Sequence, residues 1–313
     1  MRVLISGGFG YLGSICAERL KSQGNEVTII GRKIPDYMNE WIKDFNVIIG
    51  DITDKNFYIK VIDKKYDCMI HFAAADAVKC SKEPRESILI NSFGTANMLE
   101  TCIQIGIKRF IYISTFHVYG KPEFNQVINE ESSIKSSDLY GLTHYFGELI
   151  TKYYTTKNDL IGSSIRLSNC SFTPLFRESN KFYLIPNNFI KEACENSEIV
   201  INSSGLQKRN FLSGNDLCNA INIIINKQNL KYDVFNVGSE SEYSINEVAD
   251  LVKSIGEELI KDKKIEIIHN IKSQINEESN WTFDISKIKQ IGFKADGNIS
   301  DDIKKTFNLL IKE

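Results

Sequence analysis

The sequence predicts an α/β protein built on a doubly wound parallel sheet, with a smaller α+β region beside it. Three observations lead there. Short β-branched runs alternate with longer amphipathic segments, a glycine-rich turn follows the first run directly, and the alternation loses its regularity after Leu167. The strand-like runs are 2–5, 26–30, 45–49, 67–72, 109–113 and 160–167. Between them, 11–23, 86–105 and 139–154 space apolar residues at helical intervals, so each can cover a face of the sheet. Past Leu167 the pattern predicts loops around 173–181 and helices near 186–196, 244–260 and 299–311. The expected organisation is a dinucleotide-binding part, 1–167 plus about 211–237, and a substrate-binding part, 168–210 plus 238–313.

Composition narrows the function classes. With 313 residues, 42% of them hydrophobic, the chain can bury a core of the size that large α/β enzymes need. Lys and Arg number 38 against 40 Asp and Glu, a net charge of -2, so no global field favours nucleic acid or an anionic membrane. No apolar run approaches the about 20 residues needed to cross a bilayer. The start of the chain reads as a strand rather than a basic, apolar leader, and a cytoplasmic location is expected. Seven scattered cysteines with no CxxC pair, and no His at ligand spacing, predict free thiols and no metal site.

The turn after the first run is Ser6-Gly7-Gly8-Phe9-Gly10-Tyr11-Leu12-Gly13. Strand before and helix after make it a phosphate loop. Gly7 supplies the tight turn, Gly10 a close backbone approach to a pyrophosphate, and Gly13 close helix-to-strand contact, with helix N–H groups aimed at the anion.

The Gly-x-x-Gly-x-x-Gly spacing resembles that of the extended short-chain dehydrogenase/reductase family, the nucleotide-sugar epimerases and dehydratases of Rossmann type. Further landmarks resemble the family in order: Gly50-Asp51-Ile52, His71-Phe72-Ala73-Ala74, Ser114-Thr115-Phe116-His117-Val118-Tyr119-Gly120 and Tyr140-Gly141. Arg166-Leu167-Ser168-Asn169, Leu184-Ile185-Pro186, Gln207-Lys208-Arg209-Asn210-Phe211 with Asp216, Asn236-Val237-Gly238 and Asp284-Ile285-Ser286-Lys287 continue the series. The resemblance implies that Gly7, Gly10, Tyr11, Leu12, Gly13, Asp51, Ile52, Phe72, Ala73 and Ala74 border the dinucleotide. It further implies that Tyr140 is the catalytic base, that Thr115 bonds the reacting sugar oxygen, and that Asn169 and Arg209 meet the substrate diphosphate. It also implies a homodimer or tetramer, built through the helices of 86–105 and 139–154 with residues such as Ile88, Leu89, Met98 and Leu99.

Two departures matter. The family pattern is Tyr-x-x-x-Lys, but this chain has His144 four residues after Tyr140, an imidazole that would be only a conditional cation. In the 4,6-dehydratases two acidic residues follow the catalytic threonine; here they are Phe116 and His117, so water elimination loses its apparatus, while His117 remains a candidate substrate contact. Reversible oxidation at a sugar carbon, C4, is what remains. The expectation is an NAD-dependent oxidoreductase that forms a 4-keto sugar from a nucleotide-activated hexose or heptose for surface-polysaccharide synthesis. A 4-epimerase is the alternative, and a catalytically silent dinucleotide sensor is the rival of another class. At the end of the second strand Gly31 stands where an NAD enzyme places an acidic residue and Arg32 could grip a 2′-phosphate, so NADP stays open beside NAD.

Overall fold

The computed structural model describes residues 1–54, 56, 65–170, 172–179, 181–227, 231–260, 263–270 and 280–311. Asn180, inside the predicted loop at 173–181, lies outside the described residues. At the centre is a seven-stranded parallel sheet in the order Tyr232–Val237, Ile161–Leu167, Arg109–Thr115, Cys68–His71, Arg2–Ser6, Glu26–Gly31, Asn46–Ile49. All six predicted strands are present, and Tyr232–Val237 adds the seventh. Strands such as Arg2–Ser6 are apolar at successive positions because helices cover both faces. Tyr11–Ser22 and Gly214–Asn226 pack on one face through Cys16, Leu20, Leu217 and Ile221. Thr95–Ile105 and Leu139–Lys157 cover the other, with Met98, Leu99 and Cys102 against Leu4, Met69 and Phe110.

The segment predicted as one helix over 86–105 is wound in three parts: an α-turn Pro84–Ile88, a π-turn Leu89–Gly94 and the helix Thr95–Ile105. The π-turn carries Asn91, whose Oδ1 accepts from Ala75 N at 2.6 Å and whose Nδ2 donates to Thr143 Oγ1 at 2.9 Å. One buried amide thereby ties the loop after Cys68–His71 to the helix Leu139–Lys157. That helix begins where it does because Asp138 Oδ1 accepts the Gly141 N–H at 2.8 Å, an N-cap that holds position 140 in the first turn.

A further core gathers Phe189 and Ile190 of the helix Asn187–Asn196, Val248 and Val252 of Ile245–Leu259, and Ile303 and Phe307 of Ile299–Ile311. These helices lie where the sequence places them. Among the described residues no helix is long and apolar enough to cross a membrane.

The sheet order reverses between Arg2–Ser6 and Cys68–His71, since the chain runs outward from Arg2–Ser6 in one direction and then returns to its other side. At that point the loops after adjacent strands diverge and leave a crevice.

Beneath the crevice lies a buried ion pair. Arg166 Nη2 is 2.7 Å from Glu148 Oε2, and Arg166 Nε is 3.0 Å from Oε1, with both side chains almost wholly enclosed. Replacing Glu148 with Ala leaves the guanidinium buried without its carboxylate and should cost about 3–5 kcal/mol in urea unfolding. A loss below about 1 kcal/mol would show that the pair is not a structural anchor.

Asp302 supplies a second, pH-dependent test. It is buried with Oδ2 unpartnered, and burial together with the charges of Asp216 and Asp301 pushes its carboxyl up to about 7, against the pull of Lys305. The folded chain therefore keeps a proton that the unfolded chain sheds near pH 4, so this group's contribution to stability falls as pH rises from about 4 to about 7. The Asp302→Asn variant should flatten that slope and gain on the wild type at pH 8. Parallel pH profiles of melting temperature for the two proteins would contradict it.

Candidate active site

The crevice holds a cavity of about 370 Å³. Twelve of the residues singled out from sequence line it: Gly7, Gly10, Tyr11, Leu12, Gly13, Phe72, Ala74, Thr115, His117, Tyr140, His144 and Asn169. Five do not. Ala73 lies behind Gly7, with its backbone nitrogen 2.7 Å from where a Cβ at Gly7 would be. Asp51 folds onto its own loop, its Oδ1 accepting from Thr53 N and Oγ1, and Ile52 is buried and offers its carbonyl to Asn97. Arg32 is exposed at the end of Glu26–Gly31, 4.0 Å from Glu86. Arg209 adjoins the cavity through Asn169, with Nη1 3.4 Å from Oδ1.

The phosphate loop is as tight as its glycines predict. Gly7 takes φ 71, which favours glycine, and a Cβ at Gly10 would sit 3.1 Å from the Gly7 carbonyl, while one at Gly13 would collide with it. Helix Tyr11–Ser22 starts at Gly10 with no side-chain cap. A cradle that any Cβ would fill, ending in uncapped helix N–H groups, fits the pyrophosphate of a dinucleotide.

Tyr140 and Thr115 line the same cavity, with their side chains hydrogen-bonded. Burial pushes the Tyr140 phenol well above its usual value of 10, and hydrogen bonding to Thr115 pulls it back. His144 packs edge-on against Tyr140 with ring centroids 4.6 Å apart. Its Nδ1 lies 3.2 Å from Tyr112 Oη, and its Nε2 has no hydrogen-bond partner. Burial, and then the neighbouring His117, lowers the His144 pKa to about 4, so the imidazole is neutral at physiological pH. The expectation of a conditional cation is corrected here: His144 presents a free nitrogen, not a charge. That buried, unsatisfied nitrogen on the cavity wall suits a ribose hydroxyl.

The two positions after Thr115 are used differently. Phe116 stacks on Trp281, centroids 6.0 Å apart and planes 11° apart, and is packing rather than chemistry. His117 lines the cavity 5.5 Å from the Tyr140 ring, and burial, with Arg209 nearby, lowers its pKa. Burial also lowers the Arg209 pKa. A half-buried guanidinium whose recorded contact is an amide oxygen suits an anion.

The sequence reading missed a polar cluster on the cavity wall. Lys181 Nζ lies 2.6 Å from Asp76 Oδ2 and 3.0 Å from Tyr183 Oη, joining the loop after Cys68–His71 to the segment before Ile185-Pro186. Asp76 also accepts from Lys79 N as the N-cap of Ala77–Lys82, and that capping pattern was the available sequence signal. Cys170 also lines the cavity, its thiol pushed up to about 12 by burial and so held protonated. Among the described residues no group of three or more His, Cys, Asp or Glu could hold a metal ion.

The family model described as NAD dependent epimerase/dehydratase family matches residues 3–238. The chain is 28% identical over 312 residues to a putative UDP-glucose 4-epimerase of Methanocaldococcus jannaschii, covering 98% of this chain and 97% of that one. It is 30% identical over 258 residues to the UDP-N-acetyl-alpha-D-glucosaminuronate decarboxylase of Bacillus cytotoxicus, covering 79% and 78%. In fold it is similar to a UDP-N-acetylglucosamine 4-epimerase from Methanobrevibacter ruminantium M1 in complex with UDP-N-acetylmuramic acid. There the TM-score is 0.84 at 23% identity, over 99% and 98% of the two chains. A UDP-glucuronic acid 4-epimerase from Bacillus cereus, in complex with UDP-glucuronic acid and NAD, gives a TM-score of 0.81 at 22% identity over 99% of each chain.

Proposed function

The chain belongs to the NAD dependent epimerase/dehydratase family, and we propose that within it the protein oxidises C4 of a nucleotide-activated hexose or heptose, with NAD as cofactor. The observation that carries this is the placement of Tyr140 and Thr115 side by side in the cavity that the phosphate loop also lines. Gly7, Gly10, Tyr11, Leu12 and Gly13 would hold the pyrophosphate of the dinucleotide, and His144 Nε2 a hydroxyl of its nicotinamide ribose. When bound, NAD supplies a hydride acceptor and a ring whose positive charge favours an ionised phenol beside it.

The protein's own part is proton handling and positioning. The Tyr140 phenolate takes the proton from the C4 hydroxyl, and the Thr115 hydroxyl donates to the same oxygen as the carbonyl forms. Asn169 and the Arg209 guanidinium receive the substrate diphosphate. Elimination of water finds no carboxylic acid at positions 116 and 117: Phe116 has no ionisable group, and burial lowers the His117 pKa and so disfavours its protonated form.

Release of the 4-keto sugar, as a step toward a surface polysaccharide, is the reading favoured from the sequence. Inversion at C4 is the second reading; it uses the same residues and is supported by the full-length likeness to a putative UDP-glucose 4-epimerase. NMR of the product after incubation with UDP-, GDP- and dTDP-hexoses separates a released ketone from an inverted alcohol. The pairing of phenol and hydroxyl argues against a silent sensor.

A homodimer is part of the proposal. Leu142, Phe146, Leu149 and Tyr153 form an exposed stripe along Leu139–Lys157, and Ile88, Leu89 and Phe93 are exposed on the packed neighbour. Met98 and Leu99 point into the sheet instead.

Two variants test the chemistry. Tyr140→Phe should reduce kcat by about 10²–10⁴-fold while nucleotide-sugar binding stays within about threefold; activity above a tenth of wild type would remove Tyr140 from the role. Because burial raises the Tyr140 pKa and His144 carries no charge to offset it, turnover should rise with pH. A cation at 144 lowers the phenol pKa, so His144→Lys should move the rising limb of the kcat profile to lower pH by about one unit or more. An unmoved limb in an otherwise active variant would mean that the limb is not the phenol.

A further inference from the structure

The end of the second strand differs from an NAD-selective site in a way that packing enforces. An enzyme selective for NAD places a carboxylate there, where it bonds the adenosine ribose and repels a 2′-phosphate. Here the position is Gly31, and the ring of Phe9 from the phosphate loop lies over it, so a Cβ at Gly31 would collide with Phe9 Cδ2. Phe9 is itself held against the core. No carboxylate can stand at position 31 while that ring is in place. Asp51, at the end of the neighbouring strand, is engaged within its own loop, where it accepts from Thr53 twice. The next residue, Arg32, is exposed, and its guanidinium is 4.0 Å from Glu86, a carboxylate that Lys79 already holds at 2.6 Å. Such a loosely held guanidinium is free to turn toward a phosphate.

We propose that the adenosine end of the dinucleotide site does not discriminate against a 2′-phosphate, because Phe9 excludes the carboxylate that would repel it and Arg32 supplies a guanidinium to receive it. The protein then binds NADP as well as NAD. This rests on the dinucleotide reading given above, and binding rather than turnover tests it.

Nucleotide-free protein is titrated calorimetrically with NAD, NADP, 5′-AMP and 2′,5′-ADP. The expected result is a Kd for NADP within about tenfold of that for NAD, with 2′,5′-ADP binding at least as tightly as 5′-AMP. Arg32→Gln should weaken 2′,5′-ADP by about tenfold and leave 5′-AMP within about twofold. The double variant Phe9→Ala/Gly31→Asp should restore a preference for NAD of about tenfold or more. A wild-type preference for NAD beyond about tenfold, with NAD itself binding, overturns the proposal and leaves the dinucleotide reading intact. An Arg32→Gln variant that weakens both adenosine nucleotides equally also overturns it. If neither NAD nor 5′-AMP binds, it is the dinucleotide reading that fails. The wild-type ratio decides the matter even if the double variant does not fold.

Discussion

A carboxylate and a guanidinium buried between the sheet and its covering helix hold the candidate site in register. Glu148 sits on the same helix as Tyr140 and His144, two turns past the first and one turn past the second on the same face, and it accepts from Ser114 Oγ at 2.6 Å as well as from Arg166. Ser114 precedes Thr115 on its strand, so a single carboxylate fixes the spacing between the helix that carries the phenol and the strand end that carries the hydroxyl. Arg166 extends the network to Tyr119 Oη at 2.8 Å, which donates onward to Asn236 at 2.6 Å. Charges this deep are costly to desolvate, and the arrangement is tolerable because the guanidinium is matched on both sides. The return is rigidity beside the candidate site.

The same enclosure explains why the histidine is not a substitute lysine. The imidazole is clamped between Tyr112 and Tyr140 with almost no solvent contact. Moving a charge into such surroundings disfavours it by more than Asp138 can restore, so the proton is lost well below neutrality. What survives of the lysine's role is hydrogen bonding without charge. In the proposed reaction, stabilising a phenolate at Tyr140 would then fall on Thr115 and on whatever cation the bound ligands bring.

Two ties span the crevice from opposite sides. Tyr11 donates to the Phe172 carbonyl and stacks on the Phe172 ring, with Asn187 bonding the same carbonyl at 3.2 Å. On the other side Lys181 reaches Asp76. The phosphate loop, Phe172 and Asn187 are therefore positioned by one another, and the cavity keeps its shape through contacts distant in sequence.

Much of this was legible in the chain itself, because local chemistry leaves local traces. The strands show as β-branched runs, the phosphate loop as glycines at fixed spacing, and the helix over 139–154 as apolar residues at helical intervals; none of these needs a distant partner to be recognised. The charge state of His144, the ring of Phe9 over Gly31, the Lys181–Asp76 tie and the Glu148–Arg166 pair left no such trace. Each depends on which side chains from remote segments meet and how much water they exclude. Residue identity sets what a group can do, and burial among particular neighbours sets whether it is charged, blocked or free.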